Sequence, residues 1–313
     1  MEVTVSSVLA GERLDRVVAL VWECSRAEAA RLIGGRKVVV NGAPAVVRSQ
    51  RLAAGDRVVL AEAPVTGYPA PEPDPSVALE VVHADEQVIV VNKPADLVVH
   101  PGSGNSSGTL VNGLLAGFPE ITGVGEPERP GIVHRLDRGT SGLMVVARTQ
   151  SSYEALTGAL GRREMHRGYV ALVKGVPADD RGVIDAPVGR SPRHPTRMAV
   201  IADGRPARTH YRVVARMAAR AESPVGVVPY GTAHLELWLE TGRTHQIRVH
   251  LAAIDHPILG DELYGGPAVS GLSHPALHAA TLAFEHPGTG EQYRFEAEPP
   301  DDFSSLYRLL DPQ

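Results

Sequence analysis

Apolar residues recur at Leu14, Val17, Val18 and Val21, the spacing of a helix with one buried face, and predict a helix over 11–22. A second helix is expected over 25–33. Ser25 stands three residues before Glu28 as a capping-box pair, and the apolar run Ala29 to Ile33 ends at Gly34-Gly35. Lys37 to Val40 then reads as a strand, Asn41-Gly42 as a tight turn, and Arg57 to Leu60 as a further strand after Gly55-Asp56. Residues 1–63 therefore predict a small α/β module.

Residues 64–75, PVTGYPAPEPDP, hold five prolines and favour extended backbone over helix or sheet. They read as a linker that lets the flanking units reorient. Beyond residue 76 the pattern changes period repeatedly. Gln87 to Asn92, Leu143 to Ala147, Gly168 to Lys174 and His234 to Glu240 read as strands, the second a short Val-rich run of a buried kind. Thr109 to Leu115 reads as a short helix. Arg243 to Ile254 reads as another, with Ile247, Leu251 and Ile254 at helical intervals. Mixed order with long connections predicts an α+β domain over 76–313, built around a mixed, mostly antiparallel sheet.

A chain of 313 residues that is 43% apolar can bury a real core and suggests about two domains. No apolar run approaches the roughly 18 residues that span a bilayer, and residues 1–12 lack the basic start and apolar middle of a signal peptide. A single cysteine, Cys24, permits no intrachain disulfide and no thiolate zinc cluster. A cytoplasmic protein without a membrane partner is the expectation, monomeric by default.

The net charge of −5 argues against general affinity for polyanions, but its distribution does not. Residues 129–174 hold eight basic and three acidic side chains, and residues 190–220 hold eight and one. Residues 64–128 hold one and nine, and residues 221–313 hold four and thirteen. A polyanion senses the local field, so the basic segments mark its expected path. Only Lys37, Lys93 and Lys174 among the cations are lysine, and arginine is the better residue for bidentate phosphate contact.

The first basic segment contains HRLDRGTSGLMVVAR, residues 134–148. Asp137 lies between Arg135 and Arg138, just before a Gly-Thr-Ser-Gly turn and a buried strand. Gly139 and Gly142 fall where the backbone needs unusual dihedrals or close approach. A carboxylate held there beside an arginine can serve as nucleophile or base. The plainer reading is a structural ion-pair cluster. LETGRTHQIRVH, residues 239–250, offers the arginine: Thr241-Gly242 marks a strand-to-helix junction, with Arg243, Thr244 and Arg248 on the first turns and Thr244 and Arg248 sharing a face. His245 and His250 are five apart, poor spacing for chelation from one helix, and no HExxH occurs, so no metal site is expected. RREMHRGY, residues 162–169, surrounds Tyr169 with cations; the tyrosine can stack on a base, handle a proton, or be a core residue. The loop PGSGNSSG, residues 101–108, lacks the GK[ST] ending of an ATP-binding loop but can contact a substrate.

Taken together the motifs resemble a known family. VNKPADLVVHPG (91–102), GIVHRLDRGTSGLMVVAR (131–148), RGYVALVKG (167–175), LETGRTHQIRVHLAAIDHPILGDELYGG (239–266) and LHAATLAFEHP (277–287) resemble, in order, the motifs of the RluA/RluD-type pseudouridine synthases. Residues 1–63, with SRAEAARLI, VNG and GDRVVL, resemble a small RNA-binding module first recognised in a ribosomal protein. The resemblance implies an RNA isomerase that detaches uracil at N1 and rejoins it through C5 with no cofactor or metal. The target nucleotide must leave the helix stack to be reached. The family's essential aspartate falls on Asp137, which acts at the sugar C1′, at the base C6, or by proton transfer. The arginine that enters the RNA falls on Arg135, the aromatic against the base on Tyr169, and the aspartate's partner on Arg248. An apolar floor falls on Leu251 or Ile247, and further substrate contacts on His134, Arg138, Thr140, Arg243, His245 and Gln246. In the module, Arg26, Arg31, Arg36 and Lys37 are the implied RNA contacts.

Large-subunit ribosomal RNA is the implied substrate, with tRNA or another ribosomal site as alternatives. The chain departs from the family at Gly168, where a larger, often acidic residue is usual, and in an extended segment near residues 217–231. Two other readings stay open. One is an assembly factor that binds RNA without catalysis. The other is a glycoside hydrolase, which usually needs a second carboxylate that the Asp137 motif lacks.

Overall fold

The computed structural model describes residues 1–24, 26–64, 70–102, 105, 107–194, 197–218 and 231–310. The expected cap at Ser25, part of the proline-rich and glycine-rich segments, and most of the 217–231 insertion lie outside the described residues.

The amino-terminal unit runs β1 (Glu2–Thr4), α1 (Leu14–Val21), α2 (Arg26–Gly34), β2 (Val38–Val40), β3 (Ala43–Pro44) and β4 (Arg57–Leu60). Its strands form one antiparallel sheet in the order β1-β4-β2-β3. Asn41 and Gly42 both take positive φ, 51° and 84°, which suits the two-residue hairpin turn their sequence predicts. Leu14, Val17 and Val18 turn inward from α1 and meet Leu32 and Ile33 of α2 and Val38 and Val58 of the sheet in a core of their own. Cys24 is buried there, as a small apolar residue would be.

The second unit continues β5 (Val81–Ala84), β6 (Val88–Lys93), α3 (Leu110–Gly117), β7 (Ser141–Ala147), α4 (Gln150–Arg162), β8 (His166–Lys174), β9 (Arg181–Asp185), β10 (Val188–Arg190), β11 (Met198–Val200), β12 (Arg208–Met217), β13 (Thr232–Leu239), α5 (Gln246–Ala253), β14 (Leu277–Glu285), β15 (Gln292–Glu296) and α6 (Asp301–Leu310). Nine strands form one sheet in the order β5-β6-β7-β14-β8-β13-β12-β9, with β15 also on β14, while β10 and β11 pair apart. Among the described strands only β7 and β14 pair in parallel, so the sheet is mixed and mostly antiparallel.

Strand β7 is buried at every position, and β6 at all but Asn92. Alternate residues therefore serve different cores. Ile89, Val91, Met144 and Val146 pack with α3, α5 and α6, whereas Val88, Val90, Leu143 and Val145 pack with Leu156 of α4 and Phe284. Before α3, Glu72 and Asp74 are fastened to Asn112: its side-chain Nδ2 donates to the Glu72 carbonyl at 2.7 Å, and its main-chain carbonyl accepts from the Asp74 amide at 2.9 Å.

The junction after β13 differs from its expectation. The helix opens at Gln246, not Arg243, and His245 precedes it in the left-handed region at φ 55°. The Gln246 side chain is the cause. Its oxygen accepts from Thr241 Oγ1 at 2.8 Å and from the Arg243 amide at 3.0 Å, holding residues 241–245 as a turn. Thr244 is thus outside the helix and shares no helical face with Arg248.

Candidate active site

Two glycines shape the loop that presents Asp137. Gly142 has φ 115°, and a Cβ there would stand 2.3 Å from the Ala279 carbonyl oxygen, where β7 meets β14. A Cβ on Gly139 would lie 2.7 Å from Pro275. Beneath the loop Lys93 is 1% exposed, the largest fully buried side chain among the described residues. Its ammonium donates to the carbonyls of Pro94 at 2.7 Å and Leu97 at 2.9 Å, and reaches those of Ala95 and Arg138 at 3.5 Å. Burial pushes the Lys93 pKa down to about 7, against the pull of Asp137 and Asp96.

Asp137 is half-buried at the wall of a cavity of about 480 Å³. Its Oδ2 lies 3.6 Å from Arg248 Nη1, and its Oδ1 lies 3.9 Å from His245 Nε2. The closer partner of Arg248 is Asp261, which accepts from Nε at 2.6 Å and from Nη2 at 2.8 Å. Burial works against the charge of Arg248, but this fork outweighs it and holds the guanidinium pKa above its usual value. Tyr264 lies under the guanidinium, 5.0 Å from ring centre to Cζ. The Tyr264 hydroxyl accepts from the Met198 amide at 3.0 Å and meets His245 Nδ1 at 2.7 Å. Burial lowers the His245 pKa, so the ring is neutral near pH 7. The tyrosyl proton then goes to Nδ1, which leaves the imidazole proton on Nε2, the nitrogen nearer Asp137.

Tyr169 is 7% exposed and lines the same cavity from β8, and burial raises its phenol pKa. Leu136, Ile247 and Leu277 supply the apolar lining. Arg135 stands exposed at the rim, with Nη1 3.1 Å from His100 Nε2. Burial, helped by Arg135, pushes His100 down to about 4, so it accepts this bond as a neutral ring. His134 Nε2 accepts from the Val145 amide at 3.1 Å, and burial pushes its pKa down to about 3.

The cavity thus gathers Asp137, Tyr169, Arg248, Arg135, His134, Thr140, Arg243, His245 and Gln246. Two expected site residues fall elsewhere. Arg138 is exposed outside the cavity, and Leu251 is fully buried one helical turn beyond Ile247, which lines the cavity in its place. Gln246 is 2% exposed and spends its amide on the turn and on Arg208 and Thr209, so it braces the wall. Gly168 turns to the opposite face of β8 from Tyr169, where Thr281 and His166 crowd it, so that departure from the family pattern leaves the Asp137 cavity alone.

Lys93, His100, Arg167, Asp261 and Tyr264 are additions. All five lie in conspicuous motifs, but spacing alone assigns them no partner. In the amino-terminal unit, Arg26 donates to Asp15 at 2.9 Å, Arg31 to Glu28 and Glu62, and Lys37 lies 3.5 Å from Glu62. Arg36 is exposed, with no carboxylate beside it among the described residues. No group of three or more histidine, cysteine or acidic side chains among them has the geometry to hold a metal, and no described helix is long and apolar enough to cross a membrane.

A half-buried carboxylate beside a braced arginine, sharing an arginine-lined cleft with a buried tyrosine, is the equipment of an enzyme acting on a polyanion. Residues 87–253 match the RNA pseudouridylate synthase family, and the chain belongs to that family of uridine isomerases. It is 40% identical over 319 residues to the ribosomal large subunit pseudouridine synthase D of Nitrosomonas europaea, covering 99% of this chain and 88% of that one. It is 38% identical over 315 residues to the RNA pseudouridine synthase YlyB of Bacillus subtilis, covering 99% and 98%. The fold matches the human RNA pseudouridylate synthase domain containing 1 with a TM-score of 0.55 and 26% identity, over 73% of this chain and 86% of that one.

Proposed function

We propose that this enzyme isomerises uridines of large-subunit ribosomal RNA, and that Asp137 carries the chemistry. The observation behind the catalytic assignment is the position of Asp137, 3.6 Å from an arginine whose geometry is fixed by a second, buried carboxylate. The ribosomal substrate is supported by likeness to synthases named for that subunit over nearly the whole chain. In this reading Tyr169 packs against the flipped uracil, and Arg135 fills the space it leaves. The donor tautomer of His245 faces the reacting nucleoside, and Ile247, Leu136 and Leu277 form the apolar floor. Extrusion costs a few kcal/mol, which arginine contacts to phosphate offset.

Residues 1–63 act as an RNA-binding module, with residues 64–75 as the connection to the catalytic domain. Of the four expected contacts Arg36 is the most available, because carboxylates engage Arg26, Arg31 and Lys37. A glycosidase reading finds no support in the cavity. The other carboxylates near Asp137, Asp261 and Glu240, are occupied by arginines, and Asp261 is 2% exposed.

The test is pseudouridine mapping of ribosomal RNA and tRNA from cells with and without the gene, rescued by wild type or Asp137→Asn. Loss of specific large-subunit pseudouridines, restored by wild type alone, is expected. Changes confined to tRNA would overturn the substrate, and rescue by Asp137→Asn would overturn the role of the aspartate.

A further inference from the structure

Arg167 is the anomaly of the cavity. It is 9% exposed, and it lines the cavity from the same face of β8 as Tyr169. Its Nε is buried without a partner, and among the described residues no carboxylate or carbonyl accepts a hydrogen bond from its guanidinium. Its Nη1 packs against the turn after β13, where a Cβ on Gly242 would stand 2.8 Å away. A buried cation with no counter-charge is costly, and native structures seldom keep one without a ligand to answer it.

Its neighbours deepen the anomaly. Arg129, Arg163 and Arg243 line the same cavity. Arg163 is tied to Glu240 at 2.5 Å, and Arg129 to Glu126 at 2.7 Å. Among the described residues the Arg243 guanidinium has only the Pro206 carbonyl, at 3.1 Å, and burial with the nearby charges of Arg205 and Arg163 lowers its pKa. Beside Arg167, His134 is committed to one tautomer. Its Nε2 accepts from Val145, so its proton sits on Nδ1, which is also buried without a partner. Asp137 and its arginine occupy one part of the cavity, and positive charge without compensation collects in another.

We propose that Arg167, together with Arg243, forms a subsite for one backbone phosphodiester of the RNA next to the extruded uridine. This rests on the RNA-isomerase reading and adds to it the atom class that Arg167 holds. A uracil carbonyl is a poorer occupant: it is neutral and would leave the buried Arg167 guanidinium, with the partly exposed Arg243 beside it, uncompensated. A phosphodiester brings one full negative charge and two accepting oxygens, matching a guanidinium edge. The subsite fixes where the backbone runs as the base enters, and so the register of the base over Asp137.

The test uses full-length protein and an RNA stem-loop with a single unpaired uridine. Each phosphate within two positions of that uridine is replaced, one at a time, by a neutral methylphosphonate. Binding is measured for wild type, Arg167→Gln and Arg167→Lys, and tritium release from C5 of the uridine is followed in parallel. One replacement is expected to weaken wild-type binding roughly 10- to 100-fold, the range of a charge-assisted hydrogen bond, and to weaken Arg167→Gln scarcely at all. Arg167→Lys should keep the sensitivity at the same phosphate. Equal losses for wild type and Arg167→Gln at every position would overturn the subsite. So would a wild type indifferent to every replacement, a result that needs no variant to fold. The coupling in binding without any tritium release would support the subsite and count against the isomerase reading alone.

Discussion

Arg248 gives both arms of its fork to Asp261, at 2.6 and 2.8 Å, and turns its remaining nitrogen toward Asp137 at 3.6 Å. The two carboxylates are thus unequal partners of one guanidinium. Asp261 is sealed and fully engaged, so it fixes the direction of Arg248; Asp137 instead faces the cavity. An arginine bonded to Asp137 alone would be free to follow it, whereas one anchored from behind holds its charge still as the carboxylate's surroundings change.

Removing the anchor should therefore damage both folding and turnover. Asp261→Ala strips the buried Arg248 of its forked partner and leaves only Asp137, at 3.6 Å, to answer its charge; breaking a buried pair costs about 3–5 kcal/mol. Asp261→Asn keeps the shape and one acceptor. It should fold better than the alanine variant yet lose at least about 10-fold in single-turnover rate. Urea denaturation and tritium release check the two effects. An asparagine variant with wild-type rate would show that Arg248 needs no anchor.

Tyr264→Phe removes one hydroxyl and leaves the aromatic face under Arg248 in place. The Met198 amide loses its acceptor, and His245 is no longer held to the tautomer with Nε2–H toward Asp137. A neutral hydrogen bond contributes about 1 kcal/mol, so the rate at saturating RNA should fall roughly five-fold while RNA binding changes little. Equal loss in binding and rate would make the pair a structural strut.

Gly142→Ala should be severe. The added methyl meets the Ala279 backbone in a region, φ 115°, that other residues avoid. With no flexible side chain to move aside, β7 and β14 must separate where Asp137 is presented, and a loss above about 2 kcal/mol is expected. Thermal unfolding of the variant decides this.

The elements with a single strong period were legible in the sequence. Leu14, Val17 and Val18 turned inward as spaced, Asn41-Gly42 made its hairpin, and the Val-rich run of β7 was buried throughout. Strands β12 and β14 and helix α4 went unread. Arg, His and Thr interleave with apolar residues in β12 and β14, and Gly158, Gly161 and Ser residues dilute the helical signal of α4. Of the site, Asp137, Tyr169 and Arg248 could be named because resemblance fixes positions. The anchor Asp261, the strut Tyr264 and the unpaired Arg167 could not, since partnership across 13, 19 or more residues of chain is set by tertiary packing.

Lys93 ties the Asp137 loop to the pH. Its folded pKa, about 7, lies below the 10.5 of an unperturbed lysine, because burial disfavours the ammonium. Between these values the unfolded chain binds the proton more readily than the folded one, so this residue's contribution to stability rises with pH across that window. Below about pH 7 both states are protonated, and the full cost of burying the charge is present. Lys93→Met removes the titration, and it also removes the donors to Pro94 and Leu97. The unfolding free energy of wild type minus that of Lys93→Met should therefore increase from pH 7 to pH 9, and should be flat from pH 5.5 to 6.5. Urea midpoints at matched ionic strength measure it. A difference independent of pH across the whole range would mean that Lys93 keeps its proton at the higher pH, with the carbonyls of Pro94, Leu97 and Arg138 compensating its burial.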